Sequence, residues 1–115
     1  MVWNDFSRPA AGERHLNDDG SCRQCELARL HEGEELALER EPGNAHDPRA
    51  IAIYSRRRVK VGYLRARDAS VIAPKLDRGY ELRGIVDRVK GRELRGSLLG
   101  LVVRLNMEAD EPELA

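Results

Sequence analysis

The chain has 115 residues, 41% hydrophobic and 35% charged, which is enough apolar material for one core and too little length for two ordinary domains. No apolar run approaches the roughly 20 residues that cross a bilayer, and Met1 to Ala10 lacks the basic start and apolar middle of a secretory signal. Two cysteines cannot build the disulfide framework of a small secreted domain, so the expectation is a soluble cytoplasmic protein with no membrane partner. The formal charge of zero is unevenly spread: Met1 to Pro48 holds 5 basic and 11 acidic residues, Arg49 to Met107 holds 15 and 5, and Glu108 to Ala115 holds 0 and 4. A polyanion would meet a basic surface only if the fold gathers the middle cations on one side. The competing reading is an ordinary solvated charged face.

Residues 1–11 read as an irregular N-terminal segment, residues 12–107 as the domain, and residues 108–115 as an acidic disordered tail. Gly12 to Leu16 is the expected opening strand. Ser21 and Gln24 have capping-box spacing, and Cys22 to His31, closed by Gly33, makes a short helix with Leu27 and Leu30 on one side. The period then changes to two. Leu36 and Leu38, Ile51 and Ile53, and Val59, Val61 and Tyr63 mark three half-buried strands. The link from Glu41 to Pro48 contains two prolines, a glycine and two Asx residues, so it is a structured turn, while Ser55 to Arg58 is a tight hairpin carrying three arginines. Ala69, Ile72, Ala73 and Leu76 recur at helical spacing from Asp68 to Gly79, with Pro74 splitting the segment into two short turns. Two longer strands follow, Tyr80 to Lys90 and Ser97 to Met107, the first shifting its apolar phase across Gly84, where a bulge would bend it. The predicted fold is mainly β with two short helices: a small, strongly curved antiparallel sheet closed or nearly closed into a barrel, with the helices on its openings.

The run Leu38 Glu39 Arg40 Glu41 Pro42 Gly43 Asn44 Ala45 His46 Asp47 Pro48 Arg49 Ala50 Ile51 Ala52 Ile53 Tyr54, followed by Val61 Gly62 Tyr63 Leu64 and an Ala-rich helix ending at Leu76 Asp77 Arg78 Gly79, resembles the HIRAN domain family. The resemblance spans about Gly12 to Met107. It implies an OB-like barrel of the HIRAN type, found on DNA-remodelling helicases and as small bacterial proteins, that captures single-stranded DNA at its 3′-hydroxyl end without chemistry of its own. The implied partners are single-stranded DNA or DNA 3′ ends, in a DNA-repair setting, and a helicase or nuclease chain that would hold any ATPase, helicase or nuclease activity.

Residue by residue, the resemblance gives Asp47 the role of accepting the terminal hydroxyl, a position from which its charge would repel an internal phosphate. Asn44 would hold the turn or touch a base edge, and His46, where many members carry Tyr, would stack on a base. Arg14 and His15 fall near a basic and an aromatic position of the DNA-binding relative, and Tyr63 matches the ligand side of the Val-Gly-Tyr-Leu segment. Arg65 and Arg67 are the near candidates for phosphate contact; Arg56, Arg57 and Arg58 are more remote. Each residue also has an ordinary reading: Asn44 and Asp47 form Asx turns, His46 is an exposed polar residue, Tyr63 fills the barrel, and the arginine hairpin guards an edge strand. Ala45 replaces the family's usual Pro, His46 an aromatic, and Ala66 a basic residue.

Cys22 and Cys25 form one CxxC at a helix start and, with His15 and His31, a conceivable zinc set. His31 falls about 240° round the helix from Cys25 at 100° per residue, which favours two inert thiols and no cofactor. No phosphate-binding Gly-rich loop, metalloprotease helix or serine elbow is present, so no catalysis is expected. The alternative function is a protein interaction module whose turn is purely structural.

Overall fold

The computed structural model describes residues 2–109, the side chain of Val2 excepted. The elements in chain order are β1 (Val2–Ala11), α1 (Arg23–Leu27), β2 (Glu35–Arg40), β3 (Ile51–Ser55), β4 (Lys60–Leu64), α2 (Ala66–Asp77), β5 (Leu82–Lys90) and β6 (Gly100–Ala109). The six strands close into an antiparallel barrel in the order β1-β4-β3-β2-β5-β6, with β6 returning to β1. Alternation fills the interior. Leu36, Ile51, Ile53, Val61, Val86, Leu101, Val103 and Leu105 form one buried cluster with Ala69, Ile72 and Ala73 of α2 and with Leu27 and Leu30 around the end of α1. Each fully buried Leu, Ile or Val side chain in that cluster contributes about 1.5–3 kcal/mol. Arg92 closes α1 by donating to the carbonyls of Leu27, Ala28 and Leu30. Among the described residues no helix is long and apolar enough to cross a membrane.

Residues 2–11, expected to be irregular, form a full barrel strand, so the domain does not begin at residue 12. β1 pairs with β6 from Val2 to Pro9 and with β4 at Ala10 and Ala11. Along most of its length β1 is paired on one side, so few of its side chains are buried and no alternation shows in the sequence. Pro9, which lacks an N–H, sits where the strand passes from one neighbour to the other. Gly12 to Leu16 is not a strand; it leaves the barrel in a turn closed by the His15 amide on the Gly12 carbonyl, and Leu16 makes a single bridge to Cys22. At the other end Glu108 and Ala109 belong to β6, and residues 110–115 of the expected tail lie outside the described residues.

The helices differ from expectation in their ends. Ser21 does not cap α1, because its hydroxyl is spent on Asp19 and the Gln24 side chain reaches Glu13 and Leu99; Cys22 Sγ accepts the Cys25 amide instead. α1 stops at Leu27, well short of His31. Pro74 does not split α2, which runs unbroken from Ala66 to Asp77. A proline removes one backbone hydrogen bond, and the buried Ala69, Ile72 and Ala73 anchor the turns that lose it. β5 starts two residues after Tyr80, and β6 three after Ser97. The expected bulge at Gly84 lies instead between Val86 and Arg88, where the register against β6 shifts. Gly84 is small for another reason: a Cβ there would stand 2.6 Å from Leu38 Cδ1.

Candidate nucleic-acid interface

The turn between β2 and β3 is held by its own Asx residues. Asn44 Oδ1 accepts the amides of His46 (2.8 Å) and Asp47 (3.1 Å), and its Nδ2 donates to Glu41 Oε1 at 3.2 Å. Asp47 Oδ1 accepts the Arg49 amide at 2.8 Å, while Oδ2 takes no part in the loop's hydrogen bonds. The Glu41 amide donates to the Ala50 carbonyl, so the loop leaves and rejoins the sheet as a closed unit. These bonds fix a rigid projection without requiring the proline that Ala45 replaces.

That projection forms one wall of a cavity of about 850 Å³. Gly43 to His46 stand on one side, Gly12, His15 and Asn17 to Asp19 of the loop after β1 on another, and Tyr54, Arg58, Lys60 and Tyr63 from β3, β4 and their hairpin on a third. The centre is a three-residue network. Lys60 Nζ donates to Glu41 Oε2 (2.6 Å) and to Tyr63 Oη (2.9 Å), and Tyr63 Oη donates to Glu41 Oε1 at 2.8 Å. Burial opposes the charge on Glu41, but hydrogen bonds from Lys60, Tyr63 and Asn44 and the attraction of Lys60 outweigh it and hold the carboxyl below its usual range. Burial likewise opposes the charge on Lys60, and its bonds to Glu41 and Tyr63 overcome it, so the ammonium titrates above its usual range. Arg23 closes the far side. It is buried, donates to the Gly12 carbonyl (2.7 Å) and Asn17 Oδ1 (2.6 Å), and lies 5.5 Å from the centroid of the Tyr63 ring.

The structure thus brings together His15, Asn44, His46 and Tyr63 of the residues expected from sequence. Arg14, Asp47, Arg65 and Arg67 do not line the cavity: Asp47 is one residue past the wall at His46, and Arg65 and Arg67 stand at the start of α2. Glu41, Lys60, Arg23, Tyr54 and Arg58 line the cavity and were not singled out for its centre. Glu41 sits inside the quoted turn motif and Lys60 three residues before Tyr63, so both were visible, but their mutual contact depends on how the turn after β2 folds over the start of β4.

The HIRAN domain model matches residues 9–101. The chain belongs to the HIRAN domain family. Among solved structures it is similar to the crystal structure of a protein from Lactobacillus plantarum, at TM-score 0.69 and 26% identity over 90% of this chain and 97% of that one. It is also similar in fold to the HIRAN domain of human HLTF, at TM-score 0.68 and 19% identity over 90% of this chain and 74% of that one. A search of curated proteins returned no match.

In this HIRAN domain the charge segregation along the sequence is cancelled in space around the β3–β4 hairpin. Arg56 meets Glu34 (3.7 Å), Arg57 meets Glu26 (2.9 Å), Arg58 meets Glu39 (2.6 Å) and Lys60 meets Glu41 (2.6 Å), each joining the basic half to the acidic half. Arg57 is not a solvated guard, since its partner Glu26 is only 4% exposed. The cavity itself carries Arg23, Arg58 and Lys60 against Asp18, Asp19 and Glu41, and so is mixed in charge rather than basic. The cysteines of this HIRAN domain are not inert thiols but a Cys22–Cys25 disulfide. His15 lines the main cavity and His31 a separate hollow, and among the described residues no three His, Cys, Asp or Glu side chains group as a metal site would require. The four side chains considered for zinc therefore do not converge.

Proposed function

We propose that this HIRAN domain binds single-stranded DNA in the cavity, taking its 3′-hydroxyl end, and does no chemistry of its own. The observation that carries this reading is the meeting of the family's turn with a ring flanked by cations. The wall from Gly43 to His46 faces Tyr63, with Lys60 Nζ at 4.9 Å and Arg23 at 5.5 Å from the ring centroid. A volume of about 850 Å³ falls within the roughly 300–1,000 Å³ typical of small-ligand sites, large enough for a nucleotide and too small for a duplex. Tyr63 and the imidazoles of His15 and His46 offer faces or edges to a base.

The mixed charge supports an end over an interior. An internal nucleotide carries a phosphate on both sides and would press one of them against Asp18, Asp19, Glu41 or Asp47. A terminus presents a hydroxyl there, which a carboxylate accepts as a hydrogen-bond donor. Asp47, one residue past the wall and with Oδ2 outside the loop's own bonds, takes that hydroxyl where the terminus emerges beside His46. Arg14, Arg65 and Arg67, which make no ion pair among the described residues, serve phosphates beyond the cavity. A helicase or nuclease chain supplies any catalysis.

The test is a fluorescence titration of a short labelled oligonucleotide with a free or a phosphorylated 3′ end. The free end binds about tenfold more tightly, equivalent to about 1.4 kcal/mol, and Asp47→Ala narrows the difference. Equal affinity for the two ends contradicts the reading. The second reading, a protein interaction module, draws on the fact that Asn44 and one oxygen of Asp47 are spent on the turn itself. It predicts no oligonucleotide binding at moderate salt.

A further inference from the structure

The turn between β3 and β4 is closed by the Arg58 amide on the Ser55 carbonyl (2.9 Å) and the Ser55 amide on the Val59 carbonyl (2.9 Å). Within it Arg58 adopts φ 65°, and among the described residues it is the one non-glycine in the left-handed region. Glycine or asparagine would hold that turn with less strain. An arginine kept where the backbone favours glycine points to a use for its side chain.

The Arg58 guanidinium lies 4.5 Å from the centroid of the Tyr54 ring, and both residues line the cavity. Lys60 Nζ is 5.8 Å from that ring and 4.9 Å from Tyr63, with Arg23 on Tyr63 beyond it. The wall therefore alternates cation and ring: Arg58, Tyr54, Lys60, Tyr63, Arg23. The inner two cations are committed, Lys60 to Glu41 and Tyr63, and Arg23 to Asn17 and the Gly12 carbonyl. Arg58 differs. Its side chain is 59% exposed and its ion-pair partner Glu39 is 45% exposed, a surface pair easily exchanged for a phosphate. Its neighbours do not share this position, since Arg57 is tied to the buried Glu26 and Arg56, paired with Glu34, does not line the cavity.

We propose that Tyr54 and Arg58 form a second nucleotide subsite, at which the strand leaves the cavity and the phosphate on the 5′ side of the bound end pairs with Arg58 in place of Glu39. This rests on the end-binding reading and adds the strand's direction to it. The base of that nucleotide packs along the Tyr54 edge and the guanidinium plane, contacts that do not depend on sequence.

The decisive variant is Arg58→Gly, because glycine suits the left-handed turn and the folded state is kept. Its Tm is expected to equal or exceed that of the wild type. Its affinity for a short single-stranded oligonucleotide with a free 3′ end is expected to fall about tenfold, and the slope of log affinity against log salt to shrink by about one phosphate contact. Glu39→Gln, which removes the competing carboxylate, is expected to raise affinity. The ratio between free and 3′-phosphorylated ends stays as in the wild type, because the terminus sits elsewhere. Unchanged affinity and slope in Arg58→Gly, with that ratio intact, overturn the subsite and leave end binding standing. A wild-type protein indifferent to the 3′ phosphate overturns the end-binding reading, and the proposed strand direction with it.

Discussion

Lys60 donates to a carboxylate and a phenol at once, and Glu41 in turn accepts from Lys60, Tyr63 and Asn44, so one half-buried knot ties β4 to the turn after β2. Glu41 has its folded pKa lowered, so its contribution to stability is complete above the ordinary carboxylate range and is lost as pH falls through the depressed value. Lys60 has its folded pKa raised, so its contribution is complete below the ordinary lysine value of about 10.4 and is lost only as pH rises beyond it. The knot is therefore intact from about pH 5 to pH 10. Glu41→Gln is expected to lose about 1–2 kcal/mol at pH 7, since charged hydrogen bonds are partly screened at a half-open site. Denaturant titrations should show that gap closing below about pH 4; a gap unchanged at pH 3 would show that the charge on Glu41 is irrelevant. At this scale the sequence pointed to Asn44 in the turn and Tyr63 on β4, which line one cavity. It could not separate Asp47 from Glu41, since which carboxylate faces the cavity depends on how the loop hydrogen-bonds itself.

Among the elements, β1 against β4 is, like β2 against β5 at Glu35 and Leu36, one of the two short seams of the barrel, paired at Ala10 with Leu64 and Ala11 with Tyr63. Gly62 lets the strands approach there. A Cβ at that position would stand 2.8 Å from the Ala11 carbonyl oxygen, and backbone on both sides leaves no side chain to yield. Gly62→Ala is expected to cost about 1–3 kcal/mol by overpacking, read as a fall of about 4–8 °C in Tm per kcal/mol in a domain of this size. Gly43→Ala, where a Cβ would meet nothing within 4 Å, is the matched control and should change Tm little. A Gly62→Ala protein as stable as that control would show that the seam is not tight. The central strands were legible because their apolar residues recur at period two, Leu36 and Leu38, Ile51 and Ile53, and Val59, Val61 and Tyr63, on strands that each pair with two neighbours. β1 was not, because much of its surface is exposed and its pairing with β6 joins residues about a hundred positions apart, such as Trp3 with Glu108. The cap of α1 was not legible for a related reason: Ser21 spends its hydroxyl on Asp19, and Gln24 its side chain on Glu13 and Leu99, instead of on the helix.

Across the whole molecule, the long-range ion pairs of the β3–β4 hairpin answer four cations of the net +10 middle with acids of the N-terminal half, and the cavity beside that hairpin is mixed in charge. Linear charge counts could not show this, because the acids that answer those arginines lie in α1, β2 and the adjoining loops. The consequence is a shallow salt dependence. Binding through one terminus with two or three phosphate contacts, at Arg58 and at Arg14, Arg65 or Arg67, implies a slope of log affinity against log salt of about −1.4 to −2, at roughly −0.7 per phosphate contact on single strands. A protein tracking a long basic groove would show a much steeper slope, and one of −4 or beyond would rule out a small mixed-charge site. The family and the closed barrel were legible from a turn motif that fixes Pro, Asn, Asp and Ala at set distances. The balance of charge in the cavity was not, since it is a property of the assembled loops. The most direct test of the central claim, that this cavity holds the end of a strand, is a two-dimensional amide NMR titration with a short single-stranded oligonucleotide bearing a free 3′ hydroxyl. The largest shifts are expected at residues 43–47, Lys60 and Tyr63; shifts confined to the β5–β6 turn around Leu94 and Leu98, or none at saturating oligonucleotide, would contradict it.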